Sequence, residues 1–178
     1  MLDTLTVRRV GANEACACVD ALSDVLIDCV EGGASVSFMW PLSQDKARAF
    51  WREVAEGVAH EERVLLVAED GAGAILGTVQ LILSQPENQP HRADVAKMLV
   101  HRRARRQGVA QRLMAAIEEV AHTEGKTVLV LDTVTGGDAE RLYARAGWQR
   151  VGVVPNYALM PDGALCGTTF YCKQLDAA

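Results

Sequence analysis

Residues 92–121 read RADVAKMLVHRRARRQGVAQRLMAAIEEVA, and this stretch decides the fold of the chain. Its first part predicts a strand, because Ala93, Val95 and an apolar trio at 98–100 follow a turn-rich segment. Its second part predicts an amphipathic helix, because apolar residues return at spacings of three and four. These apolar residues are Val109, Leu113, Ala116, Ile117 and Val120. A strand, a turn and a helix therefore follow one another directly.

The turn between this strand and helix, residues 102–108, reads RRARRQG and is called the basic turn below. The first N–H groups of a helix have no intrahelical partner and lie at the positive end of its dipole. Gly108 lets the backbone approach an anion, and Ala110 keeps the first turn of the helix narrow. The arginines add positive charge around such a ligand. The basic turn therefore predicts a site for phosphate or pyrophosphate.

The same residues carry a family resemblance. The string Val100-x-x-x-x-Arg105-x-x-Gly108-x-Ala110 resembles the acetyl-coenzyme A signature, Arg/Gln-x-x-Gly-x-Gly/Ala, of the GCN5-related N-acetyltransferases (GNAT). Further segments resemble the tabtoxin resistance protein group within that family. They are SF at 37–38, PL at 41–42, HRADVAKMLV before the basic turn, LDT at 131–133 and RVGVVPNYALMPDG from 150.

Two arginines depart from the family pattern. Arg102 stands where the family often has proline, and Arg106 stands where it often has glycine. An arginine adopts the left-handed conformation only at a cost in free energy. The path of the loop around Arg106 is therefore left open by the sequence.

The periodicity of the whole chain predicts the element order β-α-α-β-β-β-α-β-α-β-β. This order is typical of the α/β class (α+β type), with a single mixed, twisted sheet of about six to seven strands and helices on both faces. We expect one domain over residues 1–178. The apolar run at 127–134 predicts a strand covered on both faces, and Asp138 is expected to cap the next helix. The resemblance implies the GNAT fold, in which the strand before the basic turn splays away from the next strand.

Composition narrows the classes of function. The formal net charge of −5 argues against a general polyanion-binding protein, although the arginine cluster keeps nucleic-acid binding as an alternative. No apolar run approaches the roughly 20 residues that span a bilayer, so no membrane partner is expected. Five cysteines without a C-x-x-C pair and a start without a secretory pattern favour reduced thiols in a cytoplasmic protein. The four histidines have no metal-ligand spacing, so no metal is expected.

The resemblance implies acetyl-CoA as the acetyl donor and gives several residues a role in binding it. Backbone groups of the splayed strand would hold the pantetheine arm, and these map onto Met98, Leu99 and Val100. Backbone N–H groups would hold the pyrophosphate, and these map onto Arg105, Arg106, Gln107, Gly108, Val109 and Ala110. Tyr143 matches the family tyrosine that protonates the coenzyme A thiolate. A core tyrosine with a satisfied hydroxyl is the alternative interpretation.

Two carboxylates are candidates for the base that takes the proton of the attacking amine. Asp132 closes an otherwise apolar strand, where burying a carboxylate is costly and calls for an explanation. Asp94 corresponds to a place where acetyltransferases often carry an acidic base. A relay through water is a third possibility. Either carboxylate could instead be structural, with Lys97 or Arg92 as its cation partner.

The acceptor site is predicted from one irregular apolar segment. Phe38, Met39 and Trp40 are candidate walls of the acceptor pocket, with core packing as the equal alternative. The resemblance implies a small-molecule amine, such as an amino-acid-like toxin or antibiotic, while an aminoglycoside, a polyamine or a protein N-terminus stays open. A non-catalytic acyl-CoA sensor on the same fold is the rival hypothesis. The chain is expected to be a monomer or a homodimer.

Overall fold

A seven-stranded sheet runs through residues 5–176, the part of the chain that the computed structural model describes. The strand order is β1-β2-β3-β4-β5-β7-β6, with β4 and β5 parallel and the other neighbours antiparallel. The predicted mixed sheet is confirmed. The strands are β1 (Leu5–Arg9), β2 (Arg63–Asp70), β3 (Ile75–Ile82), β4 (Arg92–Val100), β5 (Val128–Val134), β6 (Gln149–Leu159) and β7 (Leu165–Gln174).

Helices cover both faces of this sheet, as predicted. Helices α1 to α3 pack on one face and helices α4 and α5 on the other, so the sheet separates two apolar cores. None of the helices within residues 5–176 is long and apolar enough to cross a membrane. The helices are α1 (Ala12–Ala15), α2 (Val19–Glu31), α3 (Gln44–Ala59), α4 (Val109–Thr123) and α5 (Asp138–Arg145), with a 3₁₀ turn at Arg102–Ala104.

Helix α4 is held against the sheet by its apolar stripe. Leu113 and Ile117 are fully buried, and Val109 at the first position is 1% exposed. Burying each such side chain contributes roughly 1.5–3 kcal/mol. This gain exceeds the cost of about 1–2 kcal/mol for a left-handed residue in the preceding turn. Packing along α4 can therefore fix the position of its N-terminus even where the turn is strained.

Strands β4 and β5 pair only at their beginnings. The parallel register joins Arg92 to Val128, Ala93 to Leu129 and Asp94 to Val130, and the pairing ends there. Beyond this point β5 continues to pair with β7, and β4 continues to pair with β3. The two neighbouring strands therefore diverge in the middle of the sheet and leave a cleft between them.

Strand β4 also contains a bulge. Thr78 and Gln80 of β3 pair with Leu99 and Ala96, so two residues of β4 oppose one residue of β3. The bulge changes the face on which side chains lie, because a strand alternates with a period of two. Val95 belongs to the core under α4, whereas Leu99 belongs to the core under α2 and α3. Strict alternation would have placed these two residues on the same face.

Several local expectations were wrong. Strand β5 is buried on one face only: Leu129 and Leu131 are buried, while Asp132 is exposed. Asp138 lies inside α5 and does not cap it. The backbone before this helix is instead held by Glu140, whose carboxylate accepts a 2.8 Å hydrogen bond from the N–H of Gly136.

Candidate active site

The cleft between β4 and β5 opens into a cavity of about 800 Å³. Residues 32–39, from the connection between α2 and α3, line one side of it. The rest is lined by β4, Arg105, β5, the start of α5 and the β6–β7 hairpin. Of the residues predicted for the site, six line this cavity. They are Phe38, Met39, Met98, Arg105, Asp132 and Tyr143.

The start of α4 has the geometry of an anion site. Gly108 precedes the helix with φ +81°, and a side chain built there would meet no atom within 4 Å. Within residues 5–176, the backbone N–H groups of Gly108, Val109 and Ala110 have no protein acceptor. These free donors at the positive end of a 15-residue helix can bind a phosphate group.

The basic turn adopts the left-handed bend despite its arginine. Arg106 has φ +60°, so the backbone keeps the conformation for which the family often uses glycine. Arg102 is tied down elsewhere: its Nε donates to Asp28 Oδ1 over 2.9 Å, and its guanidinium also pairs with Glu31. Arg105 lines the cavity, and its Nε donates to the carbonyl of Val100 over 3.3 Å. The structure therefore places Arg105 at the cavity and forms, at Arg106, the bend that the sequence left open.

The predicted backbone contacts on β4 are divided between the cavity and the core. Met98 lines the cavity, whereas the Leu99 side chain is 2% exposed and packs in the core under α2 and α3. The carbonyl of Val100 accepts from Arg105 and, over 3.4 Å, from the Cys29 thiol. Because β5 has diverged here, the β4 backbone on this side has no strand partner and can pair with a ligand.

Tyr143 reaches the cavity from α5. The residue is 5% exposed, and its ring lies 5.6 Å from the Tyr171 ring and 6.2 Å from the Trp148 ring, centroid to centroid. Burial, with a smaller contribution from the charge of Asp132, raises the pKa of Tyr143 to about 12. The hydroxyl therefore stays protonated at neutral pH and can donate a hydrogen bond into the cavity.

Asp132 faces the same cavity from β5. The strand leaves this side chain exposed, so it does not carry the cost of full burial that the sequence suggested. The surrounding walls nevertheless desolvate the carboxylate and raise its pKa, Asp94 raises it further, and Lys97 acts in the opposite direction. A carboxylate with a raised pKa binds a proton more readily than an ordinary aspartate does.

Asp94 does not line the cavity. Its carboxylate forms an ion pair with Arg92 and accepts a 3.1 Å hydrogen bond from Gln85 Nε2. These contacts match the structural alternative, in which a neighbouring cation balances the carboxylate. Of the two candidate bases, Asp132 is the one with access to the cavity.

The predicted acceptor walls are only partly brought together. Phe38 and Met39 line the cavity, and the Phe38 ring makes an edge contact with Phe50, with centroids 5.3 Å apart. Trp40 lies outside the lining, is 44% exposed, and donates its backbone N–H to the carbonyl of Pro161 over 3.1 Å.

Other lining residues were not predicted from the sequence. Lys97 enters the cavity through the bulge in β4, and Tyr157 and Leu159 enter it from β6. The two strands of the β6–β7 hairpin are 11 and 10 residues long and carry these side chains as far as the cavity. Apolar residues such as Val151 and Leu165 in this part of the sequence could have indicated the hairpin. They are exposed in the structure, and a strand without regular alternation of apolar and polar residues can still lie at the edge of a sheet.

Comparison with protein families identifies the class. The acetyltransferase (GNAT) family model matches residues 21–148. Because the match spans more than half of the chain, this protein belongs to the GNAT family of acetyltransferases. Membership agrees with the diverging β4 and β5 and with the helix start that follows the basic turn.

A curated relative is an uncharacterized N-acetyltransferase from the hisH-hisA intergenic region of Azospirillum brasilense. It is 33% identical over 113 residues, which make up 62% of this chain and 65% of the relative. The match thus spans 65% of the length of that curated protein.

Solved structures share the fold at low sequence identity. An N-acetyltransferase from Staphylococcus aureus Mu50 has a TM-score of 0.79 at 19% identity and covers 98% of this chain and 100% of its own. A GCN5-related N-acetyltransferase from Kribbella flavida has a TM-score of 0.78 at 22% identity, with 96% and 98% covered. The protein yncA of Salmonella typhimurium, solved with its cofactor acetyl-CoA, has a TM-score of 0.75 at 18% identity, with 98% and 95% covered.

Proposed function

We propose that this protein transfers the acetyl group of acetyl-CoA to the amine of a small-molecule acceptor. The observation that carries the proposal is that Arg105, Tyr143 and Asp132 all line one cavity, which lies next to a helix start with free N–H donors. Membership of the acetyltransferase family and the acetyl-CoA bound by yncA support it. We also propose that residues 1–178 form one domain, because the sheet is continuous through the described part of the chain.

The residues present fit acetyl-CoA as the donor. The N–H groups of Gly108, Val109 and Ala110 would hold the pyrophosphate, and Gly108 leaves room for it. The backbone at Arg106 and Gln107 forms the bend that aims these donors, and Arg105 adds charge at the cavity edge. The donor would supply an acyl carbon activated by a thioester.

Orientation of the two reactants is the first contribution of the chain. The free edge of β4 at Met98, Leu99 and Val100 would hold the arm of the donor as an added strand does. An N–H of this edge would also hydrogen bond to the thioester carbonyl and stabilise negative charge that develops on its oxygen. Positioning of this kind can supply a large part of the rate enhancement.

Asp132 would accept the proton of the attacking amine. Its position in the cavity and its raised pKa suit a general base. Asp94, held in its ion pair with Arg92, would contribute only a nearby negative charge that raises the pKa of Asp132. A single water between the amine and Asp132 would serve the same purpose.

Tyr143 would stabilise the departing sulfur. Burial raises the pKa of Tyr143 to about 12, so the hydroxyl still holds its proton when the sulfur departs. We therefore expect the hydroxyl to act while charge builds up on the sulfur, as a hydrogen-bond donor that shares its proton. Replacing the hydroxyl should slow the chemical step and leave donor affinity largely intact.

The acceptor would lie against Phe38 and Met39, with Trp40 outside the cavity as an outer contact at most. The resemblance to the tabtoxin resistance group favours a small amino-acid-like toxin or antibiotic as the acceptor. A role in resistance would follow from such a substrate. The apolar side chains of Phe38 and Met39 in the cavity lining favour a small molecule over a protein N-terminus.

A thiol-release screen tests the proposal. Purified protein is incubated with acetyl-CoA and a panel of amino acids, β-lactam-like amino acids, polyamines and aminoglycosides, and free coenzyme A is followed by a thiol reagent. We expect acceptor-dependent release with at least one small amine and its loss with Tyr143→Phe. Tight acetyl-CoA binding by calorimetry without release for any amine would instead establish a non-catalytic acyl-CoA sensor.

A further inference from the structure

Two residues that line the cavity from different segments, Ser37 and Lys97, have left-handed backbones although neither is glycine. Ser37 has φ +76° and Lys97 has φ +51°. Lys97 Nζ donates a 3.1 Å hydrogen bond to Ser37 Oγ, so the two side chains meet. Left-handed non-glycine residues persist only where the surroundings hold them, and they concentrate at binding and catalytic sites. Here the conformation directs a hydroxyl and an ammonium to one place.

The Lys97 ammonium has no carboxylate partner in the described structure. The ion pairs within residues 5–176, defined by a nitrogen–oxygen distance of up to 4.0 Å, do not include it. The side chain is half-buried, and its Nζ lies 5.7 Å from the centroid of the Phe50 ring. Desolvation lowers the pKa of Lys97, with Asp132 opposing that change. A desolvated cation of this kind gains from an anion within ion-pair distance, and the described residues place no carboxylate that close to Lys97.

Lys97 and Asp132 form a separated pair of opposite charges. Both line the cavity, and each influences the pKa of the other, yet they make no ion pair within 4.0 Å. The walls beside them are apolar, with Phe38 and Met39 from the segment 32–39 and Tyr157 from β6. A molecule with an amine at one end and an anion at the other matches this arrangement, with its amine toward Asp132.

We propose that Lys97 and Ser37 bind an anionic group of the acceptor, of which a carboxylate is the simplest example. This assignment rests on the proposed acetyl transfer and deepens it, since it selects zwitterionic amines from the possible acceptors. Polyamines and aminoglycosides carry several positive charges and no anion, so Lys97 repels them. Lys97 is a specificity-determining residue in this assignment, and Asp132 remains the base.

The experiment compares amino acids with their primary amides, which keep the side chain and remove the anion. Values of kcat/KM are measured by thiol release for each pair, in the wild type and in Lys97→Met. For each protein, kcat/KM for the acid is divided by kcat/KM for its amide. Comparing this ratio between wild type and variant cancels the intrinsic reactivity of each amine. We expect the wild type to favour the acid at least tenfold. In Lys97→Met the ratio should fall at least tenfold, mainly through a higher KM for the acid.

Two further variants separate a specific contact from a general effect of charge. Lys97→Arg keeps the cation and should retain most of the preference. Lys46→Met is the matched control, because Lys46 Nζ lies 6.0 Å from the centroid of the Phe38 ring but does not line the cavity. This control should leave the ratio unchanged. Thermal unfolding of each variant checks that the fold is kept. Methionine and arginine are unbranched at Cβ, as lysine is, so neither adds strain to the left-handed backbone at position 97.

Calorimetry on protein preloaded with coenzyme A gives a second measurement that needs no turnover. Binding of amino acids that is lost in Lys97→Met would support the anion site, even if no amine is acetylated and the acetyl-transfer proposal fails. Turnover with an unchanged acid-to-amide ratio in Lys97→Met would overturn the anion site and keep acetyl transfer. Absence of both turnover and charge-dependent binding would overturn both.

Discussion

The basic turn and the segment 32–39 lie at the same cavity but are built in different ways. The basic turn is continuous in sequence, and the groups proposed to bind the pyrophosphate are backbone N–H groups at the start of α4. The segment 32–39 lines the cavity together with Lys97 from β4 and Tyr157 from β6. Backbone donors are the same in every sequence, so the first region needs only a bend and a helix start. The second region needs particular side chains from three separate parts of the chain.

Both regions contain left-handed residues other than glycine, and the comparison shows what each achieves. Arg106 bends the basic turn while its side chain stays outside the cavity lining, so glycine could do the same. Ser37 and Lys97 use the same conformation to direct their side chains toward each other. The left-handed backbone is therefore replaceable in the first region and tied to side-chain chemistry in the second.

The largest expected effect follows from Gly108→Glu in the first region. The new side chain would place a negative charge where the pyrophosphate is expected and would strain a backbone of φ +81°. We expect acetyl-CoA affinity to fall by about 100-fold or more, equivalent to roughly 2.7 kcal/mol. Calorimetry measures this loss.

Gly73→Glu is the control for that substitution, because Gly73 has φ +80° and open space around it in the β2–β3 turn, far along the chain from α4. It should cost similar stability and leave the affinity unchanged. Equal affinities of wild type and Gly108→Glu would remove the pyrophosphate from the start of α4.

The second largest effect is expected for Tyr143→Phe. Loss of the hydroxyl should lower kcat by about tenfold or more, while coenzyme A affinity stays within about twofold. Tyr171→Phe is a matched control, since Tyr171 is equally buried but bonds to Glu140 over 3.3 Å and does not line the cavity. If both variants turn over as the wild type does, Tyr143 has no part in the chemistry.

The pH profile separates the two carboxylates. Asp132 must be ionised to act as a base, and its pKa is raised, so kcat/KM should rise with pH through a value above about 3.9, the ordinary pKa of aspartate. Asp132→Asn should lower the plateau by about tenfold and abolish this limb of the profile. Asp94→Asn should keep the plateau and move the limb to lower pH, because the charge of Asp94 raises the pKa of Asp132. A lost plateau in Asp94→Asn alone would make Asp94 the base.

The smallest effect tests the replaceable bend. Arg106→Gly removes the strain of φ +60° and should stabilise the fold by about 0.5–1 kcal/mol in urea unfolding, with acetyl-CoA affinity kept. Arg103→Gly, in the 3₁₀ turn, should destabilise it by a few tenths to about 1 kcal/mol, since it adds only chain entropy to the unfolded state. Destabilisation by Arg106→Gly would mean that the arginine side chain holds the turn through contacts of its own.

The cores show why only part of the fold could be predicted. Periodicity identified the inward face of α4, because burial of residues such as Leu113 and Ile117 follows from local spacing. Periodicity failed at β5, where covering on both faces was expected, because an apolar run does not show what lies above the sheet. It also failed at the bulge in β4, because a bulge depends on the register with β3.

The sequence by itself determined the class of fold and predicted the strand, turn and helix start where we propose an anion site, since these depend on hydrophobic period and on residues that are neighbours in the chain. Only the tertiary structure decided that Lys97 meets Ser37, that Asp132 reaches the cavity and that Asp94 is held by Arg92. The physical reason is that a strand register, a bulge and a diverging strand pair are set by contacts between distant segments. A single change in any of them would turn these side chains to another face.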